Sequence, residues 1–355
     1  MKVLVTGHKG YIGSVLLPML LERGHEVVGI DSDIFRRCTY GEPPVEVKSI
    51  EKDIRDVTEE DVAGFDAIIH LAGLSNDPLG DWRPNLTYEI NWKASVKIAE
   101  LAKKMRVPRF LFSSSCSTYG ASGDKMIDES GTFNPVTPYG KSKVYVERDL
   151  SKMADENFTP VYLRNATVYG MSPRIRFDLV LNNLVAWAFT TQKIFMKSDG
   201  TPWRPIVHVA DVCRAFIAAM EAPKELVHDK AFNVGINEDN YQISEVAEAV
   251  RDTVPDSYIE YAEGAGPDKR CYRVDCNLIK KTLKDFKPVW NAKKGAEELY
   301  EAYKKYGVSV DEFEGPKFKR IAHIEYLVEN GILDENFRWI TKEVNENEQC
   351  AVQVM

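Results

Sequence analysis

The sequence predicts an α/β fold: a doubly wound parallel sheet with helices on both faces, followed by a smaller C-terminal lobe. Three observations carry this. Short apolar runs alternate with longer amphipathic stretches through the first half, the pattern of repeated βαβ units. Those runs are continuously apolar, as strands covered on both faces require. The first of them ends in three glycines, in "VLVTGHKGYIG", and a helical stretch follows.

Taken in order, "KVLVT" is the first strand and about 11–23 the first helix. "HEVVGID" and "FDAIIHLAG" are further strands, and "LTYEINWKASVKIAELAKKM" is one long helix. "RFLFSSS" is a strand, "YGKSKVYVERDLSKMA" a helix and "TPVYLRN" a strand. Crossovers between parallel strands should be right-handed. After about residue 165 the pattern loosens, with Pro, Arg and Trp in loops such as "GMSPRIRFD" and "DGTPWRPIVH". The expected division is 1–165 for the sheet domain, with chain returns from about 200–235. A second lobe spans mainly 166–300, and a helical extension and tail 301–355. "EELYEAYKKYG" and "FKRIAHIEYLVENGIL" are amphipathic helices of that extension, and "NENEQCAVQVM" should fray.

Of the 355 residues 44% are hydrophobic, enough for one large domain or two unequal ones. A net charge of -8 argues against a nucleic-acid partner. No apolar run approaches the roughly 20 residues that span a bilayer. "MKVLVTG" enters a strand directly, with no visible signal peptide, so a cytoplasmic location is expected. The six cysteines are scattered and read as reduced thiols; no metal site is expected, even at Cys271 and Cys276.

A strand, then glycines, then a helix makes a phosphate site, because the backbone turns tightly and the helix N-terminus offers free N–H groups. Gly7, Gly10 and Gly13 are spaced Gly-x-x-Gly-x-x-Gly. Asp31, ending the second strand, suits the ribose hydroxyls of an adenosine and would repel a 2′-phosphate, which favours NAD over NADP. Arg36 and Arg37 just beyond are read as solvated. Asp53 and Ile54 are placed to flank the adenine, unless Asp53 only caps a loop.

"TPYGKSK" holds Tyr139 and Lys143, four apart and so on one helix face. A nearby ammonium favours the phenolate, so Lys143 is expected to lower the Tyr139 pKa from about 10. Ser115 should lie at the carboxyl end of its strand, within reach of Tyr139. His70 and His208 read as structural, and Trp82 and Trp203 as loop residues that either line a pocket or pack the lobe.

Together these stretches, with "TGHKGYIG", "DIRD", "HLAG", "EINWKAS", "SSSCSTYG", "LRNATVYG", "DGTPWRPIVHVADVCRA" and "DKRCYRVD", resemble the extended short-chain dehydrogenases/reductases. The branch is that of the NAD-dependent nucleotide-sugar epimerases and dehydratases, whose fold is the Rossmann type. The resemblance implies a catalytic group of Ser115, Tyr139 and Lys143. It implies NAD contacts from Gly7, Gly10, Tyr11, Ile12, Gly13, Asp31, Asp53, Ile54, Leu71, Ala72, Gly73, Asn91 and Ser113, with Tyr139 and Lys143. Around a nucleotide-diphosphate sugar it implies Ser75, Ser115, Cys116, Ser117, Asn165, Asn182, Asn183, Arg204 and Arg270. Cys116 is read there as packing in preference to an acid.

Departures narrow the reaction. Dehydratases of the family usually place Asp-Glu after the catalytic Ser/Thr, where this chain has Cys116 and Ser117. Galactose epimerases often have a lysine near Ser75 and an arginine at Ala265. The expected activity is epimerisation, at C4, through a 4-keto sugar. The alternatives are a keto-sugar reductase, dehydrogenase or dehydratase, or a binding protein without turnover. A homodimer through the helices of "NWKASVKIAELAKKM" and "SKVYVERDLSKMA" is implied as well.

Overall fold

The computed structural model describes residues 1–75, 77–120, 125–264, 266 and 271–340. Seven parallel strands form the main sheet. Their spatial order is Lys230–Val234, Thr159–Asn165, Arg109–Ser115, Ala67–His70, Lys2–Thr6, Glu26–Asp31, Lys48–Glu51. The order reverses beside Lys2–Thr6, and the crevice at such a reversal, outside the carboxyl ends of the strands, is where open α/β sheets bind ligands.

The expected strands are present, and several others were not read as strands, among them Lys48–Glu51, Lys230–Val234 and Trp203–His208. Lys48–Glu51 is an edge strand whose residues are mostly exposed, so it lacks an apolar run. Trp203–His208 is not a loop. It is a buried strand paired with Thr167–Tyr169 and with Asn240–Gln242 in a separate three-stranded sheet. Trp203 therefore lies on a strand, with the Arg273 guanidinium over its ring, and Trp82 ends the Asp77–Trp82 helix and stacks on Phe337.

The single long helix is instead three successive turns of differing pitch. Pro84–Thr87 and Ser95–Lys104 are α-helical, and Tyr88–Ala94 between them is a π-helix. Widening the helix there puts Asn91 on its inner face, a use of π-turns common at functional sites. The Tyr139 helix, Pro138–Ser151, starts with Pro138 in its first turn and Thr137 as cap, whose hydroxyl accepts from Gly140 N at 3.1 Å.

Apolar cores lie on each face of the sheet and in the second lobe. The extension is part of this packing. Helix Ala292–Tyr306 enters the lobe core through Leu299 and Tyr303, and Ile324, Leu327, Leu333 and Phe337 are buried in one sheet-face core. No described helix is long and apolar enough to cross a membrane.

Candidate active site

A cavity of about 940 Å³ opens at the carboxyl ends of the strands. Every expected cofactor contact except Asn91 lines it, as do Ser75, Ser115, Ser117, Asn165, Asn183 and Arg204. Arg270 lies outside the described residues.

The glycine turn is shaped by what it must clear. Gly7 has φ +74°, and a Cβ there would lie 2.6 Å from Ala72 N. At Gly13 a Cβ would sit 2.4 Å from His8 O. Both positions exclude any side chain, which leaves a bare backbone cradle at the start of helix Gly13–Glu22. Asp31 accepts from Lys9 N at 2.9 Å and Asp33 N at 2.8 Å. Burial raises its pKa, and those amides oppose the rise. The carboxylate keeps free lone pairs for a ribose. Asp53 lines the cavity and is also a cap: it accepts from Arg55 N at 2.8 Å and pairs with the Arg55 guanidinium at 2.6 Å. Arg36, expected to be solvated, pairs with Glu51 at 3.0 Å and stacks on Trp339. These residues fit NAD: a phosphate cradle, an acidic ribose site and an adenine slot.

At the far end, Ser115 and Tyr139 line the same cavity, with the serine hydroxyl near enough to the phenol to favour its ionised form. Lys143 Nζ donates to Ser113 O at 2.7 Å and sits 5.5 Å from the Tyr139 ring centre. Burial pushes Tyr139 up to about 12, and Asp77 adds to the rise. The Ser115 hydroxyl and Arg176 pull the other way. The expected lowering by Lys143 is not what the pocket shows. Lys143 is itself buried and pushed down to about 8, while Glu147 one turn on resists that fall. Burial therefore disfavours the charged form of both groups.

Three expected residues are turned away from the cavity. Cys116 is fully buried, its thiol directed at Arg164 O at 3.0 Å and pushed up in pKa by burial. Asn182 spends its amide on Gly170 N (2.9 Å) and Arg176 O (2.9 Å), bracing the lobe under the turn. Asn91 accepts from Leu74 N at 2.7 Å and donates to Leu74 O at 2.9 Å, so it holds the segment after Gly73 and does not line the cavity. In each case a buried polar group has found its partners in backbone. Trp82 and Trp203 do not line the cavity either.

Sequence reasoning passed over Arg176, which lies in the "GMSPRIRFD" loop. It lines the cavity, donates to Ser75 Oγ at 2.9 Å and pairs with Asp178 at 2.7 Å. Nor did it find the buried Arg164–Glu147 pair, 2.7 Å apart, under the Ser114 hydroxyl. Glu147 extends the Tyr139, Lys143 face by four residues, the one signal available in the sequence.

His208 caps helix Val209–Glu221, accepting from Ala210 N, and stacks on Trp290. His70 bonds the hydroxyls of Thr6 (2.6 Å) and Ser95 (2.8 Å), and burial, helped by Lys143, holds it down to about 3. The unfolded chain takes a proton near pH 6.5 that the folded protein refuses. Stability from His70 is therefore complete above that pH and lost as pH falls towards about 3, with a slope of about 1.4 kcal/mol per pH unit. Urea midpoints at about pH 7 and about pH 5 should show the loss, and His70→Gln should shrink the difference between them.

A model of the NAD dependent epimerase/dehydratase family matches residues 3–235. A UDP-glucose 4-epimerase of Corynebacterium glutamicum is 30% identical over 267 residues, 71% of this chain and 80% of that protein. UDP-glucuronic acid decarboxylase 1 of Arabidopsis thaliana is 27% identical over 334 residues, 89% of this chain and 72% of its own. Among solved structures, MoeE5 in complex with UDP-glucuronic acid and NAD superposes with a TM-score of 0.74 at 25% identity, covering 86% of this chain and 99% of that one. The match runs from the first strand of the sheet to the seventh, so the chain belongs to the NAD-dependent epimerase/dehydratase family and is an enzyme that uses NAD.

Proposed function

We propose that the protein is a nucleotide-sugar epimerase that inverts C4 through a transient 4-keto sugar. The observation that carries this is that Ser115, Tyr139 and Lys143 line the same cavity as the glycine cradle, with Lys143 Nζ 5.5 Å from the Tyr139 ring centre. The residues after Ser115 support it: a buried cysteine and a serine offer no carboxylate pair for removing water.

Tyr139 takes the proton of the C4 hydroxyl, and Ser115 bonds the same oxygen. Lys143, charged at neutral pH, and Arg176 stabilise the tyrosinate that the first step needs. Bound NAD supplies a reversible hydride acceptor. The keto sugar turns within the cavity so that its other face is presented, and Tyr139 returns the proton. Asn183 and Arg204, both on the cavity wall, serve the nucleotide diphosphate, for which a planar guanidinium is well suited. The C. glutamicum relative makes a UDP-hexose the first substrate to try.

The test is proton NMR of UDP-glucose incubated with the purified enzyme. Appearance of the C4 epimer, with no net gain of absorbance from reduced NAD, is the expected result. Stoichiometric accumulation of reduced NAD, or a product that has lost water or carbon dioxide, would replace this reading with a dehydrogenase, dehydratase or decarboxylase. The same set of tubes should be run with UDP-glucuronic acid, which a relative in the solved structures holds.

A further inference from the structure

The chain beyond the family match folds back over the cofactor half of the cavity. His323 Nε2 lies 3.2 Å from Ile34 O, and Trp339 donates to Ser32 O at 2.6 Å. Arg55 donates to Asn336 O at 2.8 Å, and Arg338 pairs with Asp56. These contacts grip the two loops that follow Asp31 and Asp53. Phe337, Lys319, Arg320 and Ile321 reach the cavity wall itself.

Arg320 is the group in this segment without an account. It is 4% exposed, its Nη2 donates to Arg174 O at 2.8 Å, and its guanidinium stacks on Phe35 at 4.1 Å. Nη1 is buried with no hydrogen-bond partner among the described residues. Its nearest ionisable neighbours add to the puzzle. Arg174 and Arg176 repel it, the buried Cys38 thiol is kept protonated, and Asp178 is already paired with Arg176. Burial, with Arg176 and Arg174, holds Arg320 down to about 10 against the opposing pull of Cys38 and Asp178. A desolvated guanidinium lacking a carboxylate is costly unless an anion completes it. Its location says which anion. Arg174, whose carbonyl it bonds, donates its own N–H to Ser172 Oγ at 3.2 Å, and Ser172 donates to Tyr11 O in the glycine turn at 2.8 Å. Arg320 thus lines the cavity, linked through Arg174 and Ser172 to the glycine turn and through Phe35 to the loop after Asp31. In NAD the diphosphate is the anionic group at that place, the adenosine being uncharged.

We propose that residues 319–339 are a strap over the cofactor, and that Arg320 is its ligand-binding residue, serving the NAD diphosphate. The fork geometry of the guanidinium suits two phosphate oxygens, and the arm that carries it closes the cofactor in. This does not depend on which sugar reaction the enzyme performs.

The test uses the full chain freed of nucleotide and titrated with adenosine, ADP and UDP, together with release of NAD from the loaded enzyme after dilution. In R320A, ADP should weaken about 10-fold or more and NAD release should quicken by a similar factor, with adenosine and UDP within about 3-fold of wild type. R320K should recover part of the ADP affinity, since it restores charge without the fork. R320Q keeps a donor for the Arg174 carbonyl and is read in the same way if R320A does not fold. Equal losses for adenosine and ADP would reduce Arg320 to a prop for the strap and overturn the proposal. A loss confined to UDP would assign the residue to the sugar nucleotide and overturn it too, as would no change in any ligand.

Discussion

Tyr139→Phe is expected to lower turnover by about 10²–10⁴-fold, the usual span for removing a positioned acid–base group. Binding should survive. The hydroxyl faces Ser115 in the cavity, while the half-buried ring is carried by the helix Pro138–Ser151, which packs against Gly80 at this point. NAD content and the affinity for UDP should therefore stay near wild type, so the loss falls on turnover and not on assembly. The phenol is pushed up to about 12 in this pocket, so charge from bound ligand must bring it within range of neutral pH. Rates for the wild type across pH, with Tyr139→Phe as the flat reference, would show that limb. Near-full turnover in Tyr139→Phe would remove Tyr139 from the reaction and, with it, the proton path proposed for C4.

Arg164→Leu should be the most damaging change to stability. Arg164 and Glu147 are each 5% exposed, and Arg164 also donates to Tyr119 and to Glu129 O at 2.9 Å. Removing it strands the Glu147 carboxylate in an apolar core, with the Ser114 hydroxyl as its remaining donor. Breaking a buried pair in this way costs about 3–5 kcal/mol. A lowered urea midpoint measures it. Adding Glu147→Leu should return part of the loss, because it removes the orphaned charge. The pair also sits under the functional face: Glu147 opposes the fall in the Lys143 pKa, so Glu147→Gln, which spares the packing, should lower that pKa further and move the alkaline limb of activity to lower pH.

Much of the site is readable from local sequence because its parts are local. Three glycines in seven residues make a cradle wherever a strand feeds a helix, and four residues put Tyr139 and Lys143 on one face. Continuous apolar runs gave away the buried strands. Lys48–Glu51 escaped because an edge strand has no need of them. Where the sequence misled, the cause was burial. Asn91, Cys116 and Asn182 sit in stretches that match the family's site, yet each is turned inward to satisfy backbone. The pKa of Tyr139 followed the same rule, since desolvation outweighed the lowering by Ser115 and Arg176.

The fold class, the cofactor and the serine–tyrosine–lysine group thus lie within the reach of patterns a few residues long, whose physics is set by helix and strand period and by backbone sterics. The arginines do not. Arg176 reaches Ser75, 101 residues away, and Arg320 reaches Arg174 across 146. No spacing rule links such positions. They meet only because the parallel sheet sends its carboxyl ends to one crevice and the C-terminal segment buries its apolar face on that sheet, and it is this packing that decides which charges lose water and so which of them are left needing an anion.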